Sequence, residues 1–241
     1  MHMRYKRYLL LLLLVLPSMV RLRAQDDTQL SQYWAMPSYY NAGAAGIYEK
    51  LNLRAATRQQ WVGMPGAPKS FLVLADMPLR FLKADHGIGL QLSNDSYGLF
   101  KTTSFGIQYA YKVKLWGGQL SLGLQLGLIS QIFDGTEVFI PESDYHQQTD
   151  DAIPTSEVQG TAFDVGFGVY YTHKYFYAGL SSTHLSQPAI SFDENYEGSI
   201  TRAYYFIAGG NIPLRNALYE VQPSKNDLSN DASRIDVEIE I

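Results

Sequence analysis

The sequence predicts an all-β protein, a transmembrane antiparallel β-barrel of the outer-membrane type. Three observations predict this fold: long segments in which apolar and polar residues alternate, connections that alternate between short and long, and an N-terminal export signal. Successive side chains of a strand point to opposite faces, so alternation gives each strand one apolar and one polar face. Strands that cross a membrane in a barrel need about nine residues or more.

The alternation is clearest between residues 103 and 133. From Phe105 to Val113, aromatic and aliphatic residues alternate with Gly, Gln, Ala and Lys. After a turn at Trp116, a Leu stands at every second position from Leu120 to Leu128, with Ser, Gly and Gln between. Across the chain we expect about ten strands, at residues 51–61, 69–77, 86–95, 103–115, 119–133, 161–172, 175–185, 201–212, 217–224 and 233–241.

The composition agrees with a barrel that has a polar lumen. Charged residues make up only 17% of the chain, below the usual quarter, and Tyr is abundant at 18 residues. The formal net charge of -4 argues against nucleic acid as a partner. Because the chain has no Cys, disulfides and thiolate catalysis are excluded.

The N-terminus has the pattern of an export signal. Basic residues at Arg4, Lys6 and Arg7 precede an apolar run from Leu9 to Leu16, which is too short to span a membrane as a helix. A retained N-terminal anchor is the alternative. We therefore expect a signal peptide at 1–24, an N-terminal periplasmic segment at 25–50 that leads into the barrel, and the outer-membrane barrel at 51–241.

The connections between predicted strands are sorted by length. Shorter links at 78–85, 116–118, 173–174 and 213–216 alternate with longer links at 62–68, 96–102, 134–160, 186–200 and 225–232. Outer-membrane barrels have short periplasmic turns and long extracellular loops, whereas a soluble sandwich has no reason for such sorting. In this arrangement, charged residues of the polar face point into a wet or plugged lumen: Arg54, Arg58, Asp76, Lys112, Lys114 and Asp164.

No pattern predicts a catalytic, cofactor-binding or metal site. The five His are scattered, and the acidic link at 134–160 fits no calcium-loop spacing, so a solvated loop is favoured over a calcium site. His184 and Ser186 invite comparison with a membrane hydrolase. Residues so close in sequence cannot supply the geometry of nucleophile and base, and no orienting third group is evident.

Five segments in order resemble one known family, the PorP/SprF outer-membrane proteins of the type IX secretion and gliding machinery. They read Q-L-S-Q-Y-W-A-M-P-S-Y-Y-N-A-G-A-A-G (29–46), Q-Q-W-V-G-M-P-G-A-P-K-S-F (59–71), S-N-D-S-Y-G-L-F-K-T-T-S-F-G-I-Q-Y-A-Y (93–111), Y-F-Y-A-G-L-S-S-T-H-L-S-Q-P (175–188) and A-L-Y-E-V-Q-P-S (217–224). The resemblance runs from about Gln29 to the end of the chain.

The resemblance implies a role without catalysis. It implies an integral outer-membrane barrel that supports export or surface anchoring of secreted adhesin-like proteins through protein–protein contacts. The implied partners are the lipid bilayer, secretion machinery of the periplasm and outer membrane, and secreted proteins with C-terminal sorting domains. A general porin or solute transporter is the alternative function.

Two parts of these motifs are the best candidates for partner contact, although turn geometry alone explains their Gly and Pro equally well. The candidate residues are Trp61, Gly63, Pro65, Gly66, Pro68, Asn94, Asp95 and Tyr97. The chain also departs from the family, because relatives continue for several strands beyond the segment that matches Arg234–Ile241. We therefore expect a copy that is truncated or divergent at its C-terminus.

Overall fold

A computed structural model describes residues 27–138, 154–193, 196–210 and 235–240. Strands dominate these ranges, together with short helical turns at Tyr33–Ala35, Pro37–Tyr40, Ala42–Ala44 and Gly135–Glu137. The strands are β1 (Asn52–Gln59), β2 (Lys69–Phe81), β3 (Ala84–Tyr97), β4 (Phe100–Leu115), β5 (Gly118–Asp134), β6 (Glu157–Thr172), β7 (Phe176–Thr183), β8 (Ala189–Asp193), β9 (Tyr196–Ser199), β10 (Ala203–Gly210) and β11 (Ile235–Glu240). No helix in the described ranges has the length and apolarity that crossing a bilayer would require.

Nine strands form one curled sheet in the order β10-β7-β6-β5-β4-β3-β2-β1-β11. Neighbours from β1 to β10 are antiparallel, and the inner strand β5 pairs Leu124 with both Tyr109 of β4 and Phe167 of β6. The strand β11 lies parallel to β1. Within the described residues the sheet does not close, because β10 and β11 form its two edges. The predicted all-β barrel-type fold is thus confirmed as a half-barrel.

Most predicted strands are present; β2 to β6 extend further than the alternation suggested, whereas β1 and β7 are shorter. The link predicted at 96–102 is wrong, because strand pairing continues to Tyr97 and Phe100 and leaves a turn at 98–99. Gly98 has φ of 56°, which a tight turn uses and glycine adopts without strain. This link is therefore as short as those at 82–83 and 116–117, and the sorting of links by length is less regular than predicted.

The link predicted at 186–200 contains a separate hairpin. Strands β8 and β9 pair with each other, and Ile190 of β8 is buried against Ile129 of β5 and Ile200. The predicted signal at 1–24, the predicted strand at 217–224 and most of the acidic link at 134–160 lie outside the described residues.

Side chains are distributed inversely to those of a water-soluble sheet. The apolar face is exposed, with Ile107 at 54% and Leu126 at 46%, whereas Gln108 and Asp164 on the polar face are 1% and 3% exposed. We call these the outer and inner faces. An exposed apolar band on paired strands is what a sheet surrounded by lipid requires.

The inner face is covered by the chain's own N-terminal residues 27–46, which we call the interior segment. Its residues Met36, Tyr39 and Tyr40 form one buried cluster with Leu72 and Leu74 of β2 and with Ala56 of β1 and Ile207 of β10. Because β1 and β10 lie far apart in strand order, the sheet must curl around the interior segment to reach it from both sides. The hydrophobic core of the molecule is therefore here, inside the half-barrel.

Candidate functional site

The sheet has two ends with different connections. At the turn end, hairpin turns lie at 82–83, 116–117 and 173–175, and at the loop end lie the links at 60–68 and 98–99 and those that follow β5 and β7. Two features of the molecule are candidates for function: an exposed apolar surface at the loop end, and the filled inner face.

Exposed apolar side chains cluster in the link between β1 and β2. Trp61, Val62 and Met64 are 68%, 67% and 60% exposed, and with Gly63 and Pro65 they line one open concavity. We call these five residues the apolar tip. Large apolar side chains that are this exposed and contiguous mark contact sites in folded proteins.

The apolar tip is held on a stiff loop. Met64 N–H donates to the Trp61 carbonyl at 3.0 Å, and Gln60 N–H donates to the Pro68 carbonyl at 3.0 Å, which closes the link. Trp61 and Gly63 have φ of 50° and 98°, so this loop needs the left-handed backbone that glycine permits at position 63. A closed loop with internal hydrogen bonds loses little entropy on binding a partner.

The structure brings the two predicted contact segments together. Gly98 N–H donates to the Gly66 carbonyl at 2.9 Å, so the turn after Tyr97 packs beside the 60–68 link. Tyr97 is 42% exposed, and its ring centroid lies 5.7 Å from that of Phe100. Pro68 is half-buried at the foot of the link.

The two remaining predicted contact residues lie on strand β3 and point to opposite faces. Asn94 is exposed on the outer face and donates to Thr103 Oγ1 at 2.8 Å. Asp95 faces inward, where its carboxylate accepts a hydrogen bond from Thr28 of the interior segment. Whether any of the eight predicted residues contacts a partner stays a prediction.

Polar side chains of the inner face bind the backbone of the interior segment. Gln108 Nε2 donates to the Ser38 carbonyl at 2.8 Å, and Ser181 Oγ donates to the Tyr40 carbonyl at 2.6 Å. At the turn end, Lys112 donates to the Gly46 carbonyl, and Gly46 N–H donates to Asp76 Oδ2 at 2.9 Å. These bonds satisfy main-chain groups that burial would otherwise leave unpaired.

Glycines of the inner face give the interior segment room. A Cβ at Gly123 of β5 would overlap the backbone of Ala42 and Gly43, and a Cβ at Gly168 of β6 would overlap the Asn41 side chain. A Cβ at Gly87 of β3 would overlap the Ala45 carbonyl. The Gly-rich polar face thus forms a floor on which another stretch of backbone lies directly.

A buried chain of ionisable groups joins the start of the interior segment to the sheet. His184 Nδ1 lies 3.0 Å from Asp164 Oδ2, and its Nε2 lies 2.9 Å from Asp27 Oδ1. Asp27 Oδ2 also accepts from Thr183 Oγ1 at 2.8 Å and from the Tyr205 hydroxyl at 2.5 Å. We call Asp164, His184 and Asp27 the ion chain.

The ion chain favours a charged histidine. Burial opposes the imidazolium, but hydrogen bonds and charge from Asp164 and Asp27 outweigh it and raise the pKa of His184 to about 10. For Asp27, burial likewise opposes the charge, and the partners His184, Tyr205 and Thr183 lower its pKa below the usual range. The start of the interior segment is therefore tied to the sheet by a charge-assisted contact.

The histidine has no role as a base for Ser186. Both ring nitrogens of His184 are occupied by carboxylates, and Ser186 Oγ donates instead to the Phe163 carbonyl at 3.2 Å. A nucleophile and its base must be within hydrogen-bond reach of each other. The local geometry therefore contains no Ser–His pair.

Sequence reasoning placed the polar face inward but did not find what covers it. The contacts of Asn41, Gln108 and His184 were not predicted, because their partners lie up to 157 residues away along the chain. The signal in the sequence was the composition of the polar face, which carries many glycines and amides. A water-filled lumen does not require glycine.

Comparison with known proteins identifies the family. The family model described as type IX secretion system membrane protein PorP/SprF matches residues 22–240. Neither curated proteins nor solved structures yield a match to the chain. Since the match covers almost the whole chain, including the interior segment and the strands of the half-barrel, the protein belongs to the PorP/SprF family of type IX secretion system membrane proteins.

Proposed function

We propose that this protein is an outer-membrane component of the type IX secretion and gliding machinery that supports export or surface anchoring of secreted adhesin-like proteins. It acts by protein–protein contact and without catalysis. The observation that carries the proposal is the rigid apolar tip at the loop end of a half-barrel whose interior is already filled. Family membership supplies the machinery in which such a contact would serve.

The direction of insertion follows from the connections. The turn end, with its two-residue turns at 82–83 and 116–117, faces the periplasm in this proposal, and the loop end faces outward. The apolar tip then meets secreted proteins with C-terminal sorting domains, while the turn end meets periplasmic secretion components. In the same scheme, residues 1–24 direct export and residues 25–50 belong to the mature chain before the barrel.

The alternative function, a general porin or solute transporter, is less well supported. A porin keeps a water-filled lumen, but here Met36, Tyr39 and Tyr40 pack across the inner face between β2 and β10. Single-channel recordings of the reconstituted full chain separate the two functions. We expect no wide, steady pore, and finding one would favour the porin.

Site-specific photo-crosslinking in native membranes tests the proposed contact. A photoreactive residue at position 64, where Met64 is 60% exposed, should capture a secreted protein with a C-terminal sorting domain or an outer-membrane secretion component. The matched control is position 82 at the opposite end, where Leu82 is 87% exposed. Capture of the same protein at both positions, or of lipid alone at position 64, would contradict the proposal.

Substitution of the apolar tip gives a functional readout. The double variant Trp61→Ala and Met64→Ala removes apolar area while leaving the closed loop in place, so surface display of cargo should fall and the amount of folded barrel should not. The control Leu124→Ala removes an apolar side chain that is 43% exposed on the outer face, away from the apolar tip, and should leave display unchanged. Cell-surface labelling of cargo measures the difference.

A further inference from the structure

The inner face is built like a peptide-binding groove. Its floor consists of glycines that admit bare backbone, and side chains of its walls, such as Gln108 and Ser181, bond to the main chain of the interior segment. Recognition of this kind suits a polypeptide whose backbone lies directly on the groove, because every residue offers carbonyl and N–H groups.

One side chain of the interior segment adds selectivity. Asn41 is 1% exposed, and its Nδ2 donates to the Val169 carbonyl of β6 at 3.1 Å and to the Leu180 carbonyl of β7 at 3.3 Å. Its Oδ1 accepts from Gly43 N–H at 2.9 Å, which shapes the bend of the segment. An amide that bonds both partners and its own backbone cannot be replaced by an apolar residue without leaving buried groups unpaired.

The covalent tie between groove and segment is short and exposed. Residues 47–51 join Gly46 to β1, and within this link Tyr48, Glu49, Lys50 and Leu51 are exposed to solvent. The interior segment is thus docked by non-covalent contacts along its length, from the ion chain at Asp27 to the pair of bonds at Gly46. It resembles a bound peptide that happens to belong to the same chain.

We propose that the glycine-lined inner face is a binding site for one polypeptide segment that folds into short helical turns and has small residues where it meets the glycines, and that residues 27–46 are its resident ligand. The site takes polypeptide, because its polar side chains and glycines meet main-chain groups of the resident segment. A second polypeptide gains access only by displacing that segment. This inference concerns the inner face and does not depend on which secreted protein contacts the apolar tip.

The test cleaves the 47–51 link after the whole protein has folded, so that no part of the chain is left out. A specific protease site is placed in the exposed 47–51 link of the full-length protein, which is then folded in detergent and cleaved. We expect the freed N-terminal fragment to remain bound through gel filtration. Immediate release of the fragment from a barrel that stays folded would overturn the proposal.

Exchange with synthetic peptide distinguishes a binding site from a mere core element. A labelled peptide of residues 27–46 should enter the cleaved protein and replace the resident fragment. The Asn41→Leu peptide should compete roughly tenfold to a hundredfold less well, because it loses two hydrogen bonds to the sheet and the bond that Gly43 N–H makes to Asn41 Oδ1. The matched control is the Trp34→Ala peptide, altered at a side chain that is 57% exposed, which should compete like the native peptide.

Two outcomes of the exchange would overturn the proposal. One is equal competition by the Asn41→Leu and Trp34→Ala peptides, which would mean that the groove does not recognise the side chain at position 41. The other is unfolding of the barrel whenever the fragment leaves, which would make the segment a permanent part of the core. A groove variant gives a separate check: Gly123→Ala should weaken peptide binding, whereas Gly166→Ala should not.

Discussion

Ser181 and Ser121 lie on the same inner face, yet their hydroxyls differ in what they bind. Ser181 Oγ donates to the Tyr40 carbonyl at 2.6 Å. Ser121 Oγ is buried and has no hydrogen-bond partner among the described residues. Replacement of Ser by Ala can therefore be compared at a position where the hydroxyl makes a hydrogen bond and at one where it makes none.

Ser181→Ala should destabilise the folded protein by about 1 kcal/mol, because it removes one hydrogen bond between the sheet and the interior segment. Ser121→Ala should change the free energy of unfolding by less than about 0.5 kcal/mol, because no bond is lost. Denaturant unfolding in lipid vesicles measures both. Equal losses for the two variants would mean that the Ser181 bond to the interior segment is not formed.

The ion chain predicts how stability depends on pH. The folded-state pKa of His184, about 10, lies above its ordinary value of 6.5, so its contribution is complete below pH 6.5 and is lost as pH rises through 10. Asp27, with its lowered pKa, contributes above its ordinary value of 3.8, and that contribution is lost as pH falls through the folded-state pKa. The groups that face His184 are Asp27 and Asp164, and Tyr205 faces Asp27.

We therefore expect the interior segment to loosen between pH 7 and 10. Protease sensitivity of residues 27–46 in the folded protein, followed across this range, should rise. His184→Gln removes the titrating group but keeps polar atoms in place, so its sensitivity should start higher and vary less with pH. A wild-type profile parallel to that of His184→Gln would show that the histidine does not hold the segment.

At the scale of elements, local alternation of apolar and polar residues sets the strands. Glycines of the inner face allow the interior segment to dock on the sheet. Strand β5 pairs Gly123 with Gly168 of β6, and Gln125 with Gly166. A Cβ at Gly166 would lie at ordinary contact distance, 3.4 Å from Gln125 Cβ, whereas a Cβ at Gly123 would overlap the interior segment. Neighbouring glycines of one face thus differ in function.

Gly123→Ala should destabilise the protein by roughly 1–3 kcal/mol, the usual effect of overpacking, and should expose residues 27–46 to protease. Gly166→Ala, in a strand that favours residues with a side chain, should be within about 0.5 kcal/mol of wild type. Unfolding and limited proteolysis of the two variants, side by side, measure this contrast. Equal protease sensitivity of the two variants would contradict the docking of the segment on Gly123.

Elements were predictable where the signal is local. Alternation from Phe105 to Val113 and from Leu120 to Leu128 marks β4 and β5, since each residue's face depends only on its own position along a strand. The link at 96–102 was mispredicted because Ser96 and Gly98 look like loop residues. In the structure Ser96 pairs with Lys101 across the hairpin.

At the scale of the whole molecule, the main question is whether lipid or water surrounds the outer face. Leu126, at the middle of β5, is 46% exposed on the outer face. In water, Leu126→Arg would change stability by about 0.5 kcal/mol or less. At the midplane of a bilayer the same change should cost about 2–4 kcal/mol.

Folding of Leu126→Arg into lipid vesicles should accordingly be impaired, while Leu82→Arg at the turn end should fold like wild type. Heat-modifiable migration on gels reports the folded fraction of each. Full tolerance of Arg at position 126 would mean that lipid does not touch the outer face. The half-barrel would then need another partner to cover its apolar side.

The sequence by itself determined the strands, their two faces and, through its motifs, the family, because these depend on local alternation and on residues read in order. Only the tertiary structure decided that the interior segment covers the inner face and that His184 lies between Asp164 and Asp27. It also decided which glycines are indispensable. These features join residues far apart in the chain, and no local pattern encodes which polar group meets which backbone once the sheet has curled.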